Sequence, residues 1–161
     1  MSIRGAVPYI WFVDGALEAV EFYCSLFPDS RVTHVSYYRE GAPLPAGTVL
    51  VVEFELLGRP YAALNGGPAF PQSESFSIQV EVDTQEELDR VWDALVADGG
   101  TESMCGWCKD RWGVSWQVVP RVLADVYKGP DQTAADRAWA VMMEMQRLDV
   151  AAIEAAIAAA D

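Results

Sequence analysis

Hydrophobic and polar residues follow two different periods along this chain, and the periods switch in a repeating order. Residues 7–13, VPYIWFV, are rich in β-branched and aromatic side chains and predict a strand. Asp14-Gly15 supplies a turn and a helix start, and ALEAVEFYCSLF follows. Leu17, Val20, Cys24 and Phe27 recur at spacings of three and four, which places them on one helical face. Pro28-Asp29-Ser30 stops that helix. Strand-like runs follow at 31–39, 48–57 and 60–64. A loop at 40–47, with two prolines and two glycines, separates the first two, and a tight hairpin at Leu57-Gly58-Arg59 joins the last two.

The order then restarts. Residues 75–82 predict a strand, and Asp83-Thr84 caps the helix QEELDRVWDALVADGG. Gly99-Gly100 closes it, since glycine tolerates the left-handed geometry of a helix end. Strands at 101–109 and 114–120 complete the series. With the halves superposed, Val13-Asp14 falls on Val82-Asp83, Phe22-Tyr23 on Val91-Trp92, Gly58 on Gly113, and Tyr61 on Trp116. This is an internal βαβββ repeat whose second copy is shorter.

The pattern therefore predicts an α+β chain: two tandem βαβββ modules, at about 5–68 and 75–121, forming a concave mixed sheet. The run at about 132–160 is rich in Ala, Met and Glu and predicts a C-terminal helical extension. Asp149 reads there as a fresh N-cap between two helices. Trp139, Met142, Met143 and Met145 form a stripe expected to dock on the sheet or on a second subunit, with a ligand-contacting surface as the other reading. Residues 1–161 read as a single domain.

Composition narrows the function. At 161 residues and 52% hydrophobic content, the chain can bury a core without disulfide staples. A net charge of −13 argues against nucleic acid, where affinity rests on Lys and Arg neutralising phosphates, and against anionic membranes. No stretch approaches the ~18 apolar residues of a membrane span. The N-terminal apolar run is cut off by Asp14 and is too weak for a signal peptide. Three cysteines, an odd number, fit a reducing compartment. The expected location is cytoplasmic.

Four constellations carry candidate chemistry. Cys105-Gly106-Trp107-Cys108 has the spacing of a redox or zinc motif. A zinc site needs two more ligands, and Cys24 and His34 both lie in the first module. A thioredoxin-like pair should open a helix, whereas this one sits in a strand-like stretch, where residues three apart face opposite sides. It reads as the lead-in to a hairpin. His34, the single histidine, reads as an ordinary strand residue or else a pocket acid or base. Asn65-Gly66-Gly67-Pro68 lacks the Lys and the following helix of a phosphate-cradling loop, so it reads as a strand-end turn. Lys109-Asp110-Arg111 reads as a charged turn, or as a device that brings Arg111 over an anionic substrate.

The wording YIWFVDGALEAVEFYCSLFPDSRV, VEFELLGRPYAALNGGP and CGWCKDRWGVSWQVVP, with the ending MMEMQRLDVAAIEAA, resembles one known group. That group is the PhnB-like branch of the vicinal oxygen chelate superfamily, often labelled 3-demethylubiquinone-9 3-methyltransferase. The superfamily includes glyoxalase I, extradiol dioxygenases and bleomycin- and fosfomycin-resistance proteins. The resemblance covers nearly the whole chain and implies a homodimer. It also implies a site on the concave sheet, where metal-binding relatives place His, Gln or Glu on the first and last strand of each module.

Against that pattern, Ser77 stands where relatives often carry His, and Gln117 where they carry Glu. The matching places in module one hold Pro8 or Ile10, and Ala62 or Leu64. These supply no anionic or imidazole donor, so neither the metal centre nor another cofactor is expected. On the strand at 75–82, Ile78, Val80 and Val82 should face the helices, leaving Ser77, Gln79 and Glu81 on the cavity side. The resemblance places Asn65 at the cavity mouth.

The expected function is therefore a homodimer binding a small organic molecule, with Ser77, Gln79, Gln117, Asn65 and Trp107 as ligand-binding residues. Trp11, Trp112, Trp116 and Phe76 are available with Trp107 to wall the cavity. The alternative is an enzyme: a metal-dependent lyase or isomerase, a dioxygenase-like protein, or the labelled methyltransferase. Glu53, Glu55 or Glu81 would then serve as base or ligand, with His34 assisting. The sequence shows no strand, glycine-rich loop and helix unit of the kind that usually holds S-adenosylmethionine.

Overall fold

The computed structural model describes Ser2 and residues 5–159; the last position of the expected tail, 160, and the first residues of the N-terminal run lie outside them. The chain divides into two compact units, Met1–Gln72 and Ser73–Asp161. The first holds β1 (Tyr9–Phe12), α1 (Ala16–Leu26), β2 (Arg31–Tyr37), β3 (Val49–Leu56) and β4 (Arg59–Asn65). Its strands order as β1-β4-β3-β2, with β1 parallel to β4 and the other pairs antiparallel. The second holds β5 (Ser77–Val82), α2 (Gln85–Val96), β6 (Thr101–Glu102), β7 (Trp107–Lys109) and β8 (Ser115–Pro120). Its order, β5-β8-β7-β6, repeats the first, with the same parallel pair at one edge. Two four-stranded mixed sheets in tandem βαβββ units are what the periodicity predicts.

Three differences from the sequence pattern have physical causes. The stretch at 101–109 is not one strand. It breaks into β6 and β7 around a turn where Cys105 (φ 62°) and Gly106 (φ 78°) adopt left-handed backbone. That turn supplies the third strand missing from the shorter repeat. Helix α1 buries Ala16, Ala19, Val20, Tyr23 and Leu26, a stripe rotated from the one through Leu17 and Cys24. Alanine carries little hydrophobic signal in a sequence, yet its small size lets a helix lie close on a sheet. The residues after β8 form a further helix, α3 (Arg121–Lys128), ahead of α4 (Gln132–Met142) and α5 (Val150–Ala158).

The helix starts show how the two modules diverged. Thr84 caps α2 with its own hydroxyl, which accepts from the Glu87 N–H at 3.2 Å, and the Glu87 carboxylate accepts from the Asp83 N–H at 2.9 Å. At α1 the cap position is Gly15 in left-handed geometry, with no side chain to offer. Asn65, at the end of β4, takes that role: its Oδ1 accepts from the Ala16 N–H at 2.9 Å. Asp149 caps α5 as expected, accepting from the Ala152 N–H at 2.9 Å. Among the described residues no helix is long and apolar enough to cross a membrane.

Candidate functional site

In the second unit the strand alternation separates two faces. Ile78, Val80, Trp116, Val118 and Cys108 are buried, and the helix they meet contributes Leu88, Val91, Trp92 and Leu95. The opposite face presents side chains in cross-strand rows. Trp107, Gln117 and Gln79 share one row across β7, β8 and β5; Lys109, Ser115 and Ser77 share the next. The Gln117 Nε2 donates to the Ser77 Oγ at 2.8 Å, and the Gln79 Nε2 to the Glu81 carboxylate at 3.3 Å.

Over the first of these rows lies a cavity of about 470 Å³. Its floor is Gln79, Glu81, Trp107, Gln117 and Val119, and its roof comes from α3 and α4 through Leu123, Tyr127, Trp139 and Met142, with Met143 beyond α4. The volume falls within the ~300–1,000 Å³ usual for small-molecule sites. The Tyr127 and Trp139 rings stand 6.4 Å apart, tilted by 56°. Three residues of the tail stripe thus line a cavity, Met145 not among them: Met142 is buried, while Trp139 and Met143 keep 55% and 44% of their surface exposed. Burial, with Cys105 as a second cause, raises the Tyr127 phenol above its ordinary range.

A second cavity, about 450 Å³, adjoins the next row and shares Trp107 and Cys105 with the first. Lys109 pairs there with Glu74 at 2.5 Å, and that contact holds the Glu74 carboxyl below its ordinary range. Ser115 lines this cavity too, with a buried Oγ that has no hydrogen-bond partner among the described residues.

Ser77, Gln79, Gln117 and Trp107 therefore sit on one face of one sheet. Asn65 is placed differently. It belongs to the first unit, faces the α1 side, and commits its amide to structure: Nδ2 donates to the Val49 carbonyl at 3.1 Å while Oδ1 caps α1. Its backbone carbonyl accepts from the Tyr38 hydroxyl at 2.8 Å. Gly66, which follows it, makes room for Trp11, since a Cβ there would stand 2.2 Å from the indole. That indole donates to the Gly67 carbonyl at 2.8 Å and meets Phe70 edge-on. Trp116, fully buried, lies on the helix side rather than in a cavity wall. Trp112 is covered by the Arg111 guanidinium at 4.4 Å, and Arg111 also pairs with Asp98 at 2.9 Å. Among the enzyme candidates, His34 and Glu53 are exposed register partners, and Glu55 pairs with Arg31 at 2.8 Å.

The superfamily's metal positions can now be read by register. Phe12 pairs with Asn65 and Val82 with Pro120, so the first strands superpose with Phe12 on Val82. Ile10 faces the helix, and the places matching Ser77 and Gln79 are Val7 and Tyr9, with Ala62 still matching Gln117. Neither Val7, Tyr9 and Ala62 in the first unit nor Ser77, Gln79 and Gln117 in the second offer a carboxylate, imidazole or thiolate, so neither set of side chains fits a divalent ion. Among the described residues no three His, Cys, Asp or Glu side chains are grouped to hold a metal.

The cysteine motif is split between faces. Cys108 is buried under α2, where burial first, then Asp110 and Glu102, pushes its thiol up to about 12. Cys105 sits in the turn on the cavity side, its Sγ 3.6 Å from the Met143 Sδ. Cys24 is half-buried and raised by burial, then by Glu21. At pH 8 the thiolate fraction of Cys108 is on the order of one in ten thousand. Alkylation of the native protein followed by peptide mass spectrometry should modify Cys105 first, Cys24 more slowly, and Cys108 only on unfolding. Because the folded value lies above the unfolded one, the stability gained by keeping this thiol neutral is complete below about pH 9 and lost as pH climbs toward about 12.

Comparison with known proteins fits this architecture. The family model described as 3-demethylubiquinone-9 3-methyltransferase matches residues 4–119. The chain belongs to this family. A PhnB protein from Bacillus cereus, described as a putative 3-demethylubiquinone-9 3-methyltransferase, is 31% identical; the match covers 73% of this chain and 99% of that one, with a TM-score of 0.66. Protein PA1353 from Pseudomonas aeruginosa is 24% identical over 73% of this chain and 98% of its own, with a TM-score of 0.59. The fosfomycin resistance protein FosX from Mesorhizobium loti is 15% identical over 80% and 100%, with a TM-score of 0.54. The last two share the fold. No curated protein matches the chain.

Proposed function

We propose that this PhnB-like family member binds a small organic molecule in the cavity over β5, β7 and β8, as a homodimer and without the superfamily's divalent metal. The observation that carries the reading is the pairing of an apolar, aromatic-walled cavity with two side-chain amides, Gln79 and Gln117, set beside Trp107 on its floor. A mostly apolar pocket with a few placed polar groups is the usual form of a small-molecule site. Ser77, outside the cavity's lining, accepts from the Gln117 Nε2 and so holds that amide in place. The uncharged donor set supports metal-free binding. The homodimer rests on the outer strands β1, β2, β5 and β6, since unpaired sheet edges must be paired or covered.

We do not carry methyl transfer over from the family's description. Each unit is a four-stranded mixed sheet rather than the doubly wound parallel sheet that presents a glycine-rich loop to a nucleotide-like cofactor. Native mass spectrometry of the purified protein should reveal a co-purifying organic molecule, and Gln117→Ala should weaken its binding by about 0.5–1.5 kcal/mol. A melting temperature several degrees lower with unchanged affinity would make Gln117 structural and remove the pocket assignment. A stoichiometric, tightly held divalent metal would sink the metal-free reading, and a monomer by light scattering at micromolar concentration would sink the dimer.

A further inference from the structure

We propose that the ligand of this cavity is an organic cation, an ammonium group on an apolar body, bound against the aromatic faces of Trp107, Tyr127 and Trp139 and the carboxylate of Glu81. The inference rests on the cavity reading above and adds the ligand's chemical class to it.

Three elements converge on the same space. Trp107 comes from β7, Tyr127 from α3 and Trp139 from α4, and all three line one cavity. Aromatic faces carry negative quadrupole charge, and a cation within about 6 Å of a ring centre is attracted to it. Tyr127 and Trp139 keep 40% and 55% of their surface exposed beside one another. Large rings left open around a cavity mark a contact surface rather than unused core. The Met142 and Met143 thioethers and Leu123 supply apolar, polarisable surface for the rest of the molecule.

Charge decides the sign. Glu81 lines the cavity and accepts a hydrogen bond from Gln79 at 3.3 Å. Its cationic neighbour, Lys128, stands 3.8 Å away with 70% of its side chain exposed. A pair that long and that wet contributes little, so an incoming cation displaces Lys128 at small cost. Lys128 lines the cavity too, but an anion drawn to it would face the Glu81 carboxylate beside it. In the adjoining cavity Lys109 is already paired with Glu74, and Glu102 adds a further negative charge. The chain's net charge of −13 raises the local concentration of cations and lowers that of anions.

The test uses three probes of similar size and opposite charge: phenyltrimethylammonium, its carbon isostere tert-butylbenzene, and benzenesulfonate. Titrations of the whole chain at low salt, read by tryptophan fluorescence and calorimetry, should rank them cation, neutral, anion. The cation should lead its isostere by about 3- to 30-fold, the range a desolvated cation–π contact supplies. Added salt should narrow that lead. Glu81→Gln should weaken the cation alone, Lys128→Ala should strengthen it, and Trp139→Ala, at an exposed position, should weaken both cation and isostere. Equal binding of cation and isostere, or preference for the sulfonate, would overturn the charge assignment and leave the cavity standing. Binding of none of the three at millimolar concentration would overturn the cavity reading itself.

Discussion

Asp110→Ala should cost about 3–5 kcal/mol of folding stability, the largest loss expected from any polar residue here. Asp110 is 2% exposed, and both its oxygens accept hydrogen bonds from the loop it begins. Oδ1 accepts from the Trp112 and Val114 N–H groups, both at 3.0 Å, and Oδ2 from the Trp116 indole N–H at 2.9 Å. Bonds to a charged acceptor are worth about 1.5–3 kcal/mol each, and three sharing one carboxylate do not simply add. Alanine would take the carboxylate acceptor away from the buried Val114 amide and Trp116 indole. Asp110→Asn is the informative control. An amide keeps the shape but accepts at one atom only, so its NH₂ must oppose either the loop amides or the indole N–H, at about 1–3 kcal/mol. Urea unfolding followed by fluorescence should show a lower midpoint at unchanged slope for both variants, larger for alanine. A loss below 1 kcal/mol for Asp110→Ala would mean the loop is held by its backbone bonds alone.

This residue also marks how far the sequence could be read. Lys109-Asp110-Arg111 is visibly a charged turn, but its three members do unrelated things. Lys109 reaches Glu74, Arg111 covers Trp112, and Asp110 turns inward as the acceptor for the whole hairpin. Charge in a loop does not show which carboxylate is buried, because that depends on donors brought in by the fold. The same holds for Asn65, which caps a helix starting 49 positions earlier in the chain. The cap is needed because Gly15 cannot supply one, and only the β1–β4 pairing brings the two together.

The periodic features were legible because they are local. Alternation in β5 put Ser77, Gln79 and Glu81 on one face correctly, as its burial pattern shows. Comparison of the two modules was one residue out in the first strands, while right in the helices and in the last strands. Gly15 and Thr84 are matching cap positions, as are the buried rings of Tyr23 and Trp92. Module one carries one more residue between strand and helix: its β1 ends at Phe12 before a cap at Gly15, and β5 ends at Val82 before a cap at Thr84. With a side-chain period of two, that single residue exchanges the faces, moving Ile10 into the core and Tyr9 onto the open side. The α3 part of the cavity's roof was not legible, whereas Trp139, Met142 and Met143 are visible in the sequence as a stripe. Helix α3 follows β8 directly with no cap residue to announce it, and its Leu123 and Tyr127 are ordinary until packing gives them a partner.

Leu148→Ala tests how the tail holds that roof, and should destabilise the second unit by about 2–5 kcal/mol, the usual range for emptying a buried leucine site. Leu148 is 1% exposed and packs against the Cys105-Gly106 turn so closely that a Cβ on Gly106 would stand 3.0 Å from its Cδ1. Around it the chain is tied in several places. Cys105 N–H donates to the Met145 carbonyl at 2.7 Å and Gly106 N–H to the Gln146 carbonyl at 2.8 Å. The Gln85 amide brackets the leucine, donating to its carbonyl at 3.2 Å and accepting from the Val150 N–H at 2.8 Å. Arg147 adds Asp89 and Asp93 on α2, both solvent-facing pairs that contribute little by themselves. The apolar contact is therefore the term whose loss should be felt, and it has a second readout. The turn that Leu148 covers carries Cys105, so loosening the tail should expose that thiol and speed its alkylation in the native protein, while Cys108 beneath α2 stays protected. Unchanged stability together with an unchanged Cys105 rate would mean that the tail is held elsewhere than on this turn. A faster Cys105 with unchanged stability would mean that the tail detaches without its docking contributing to the fold.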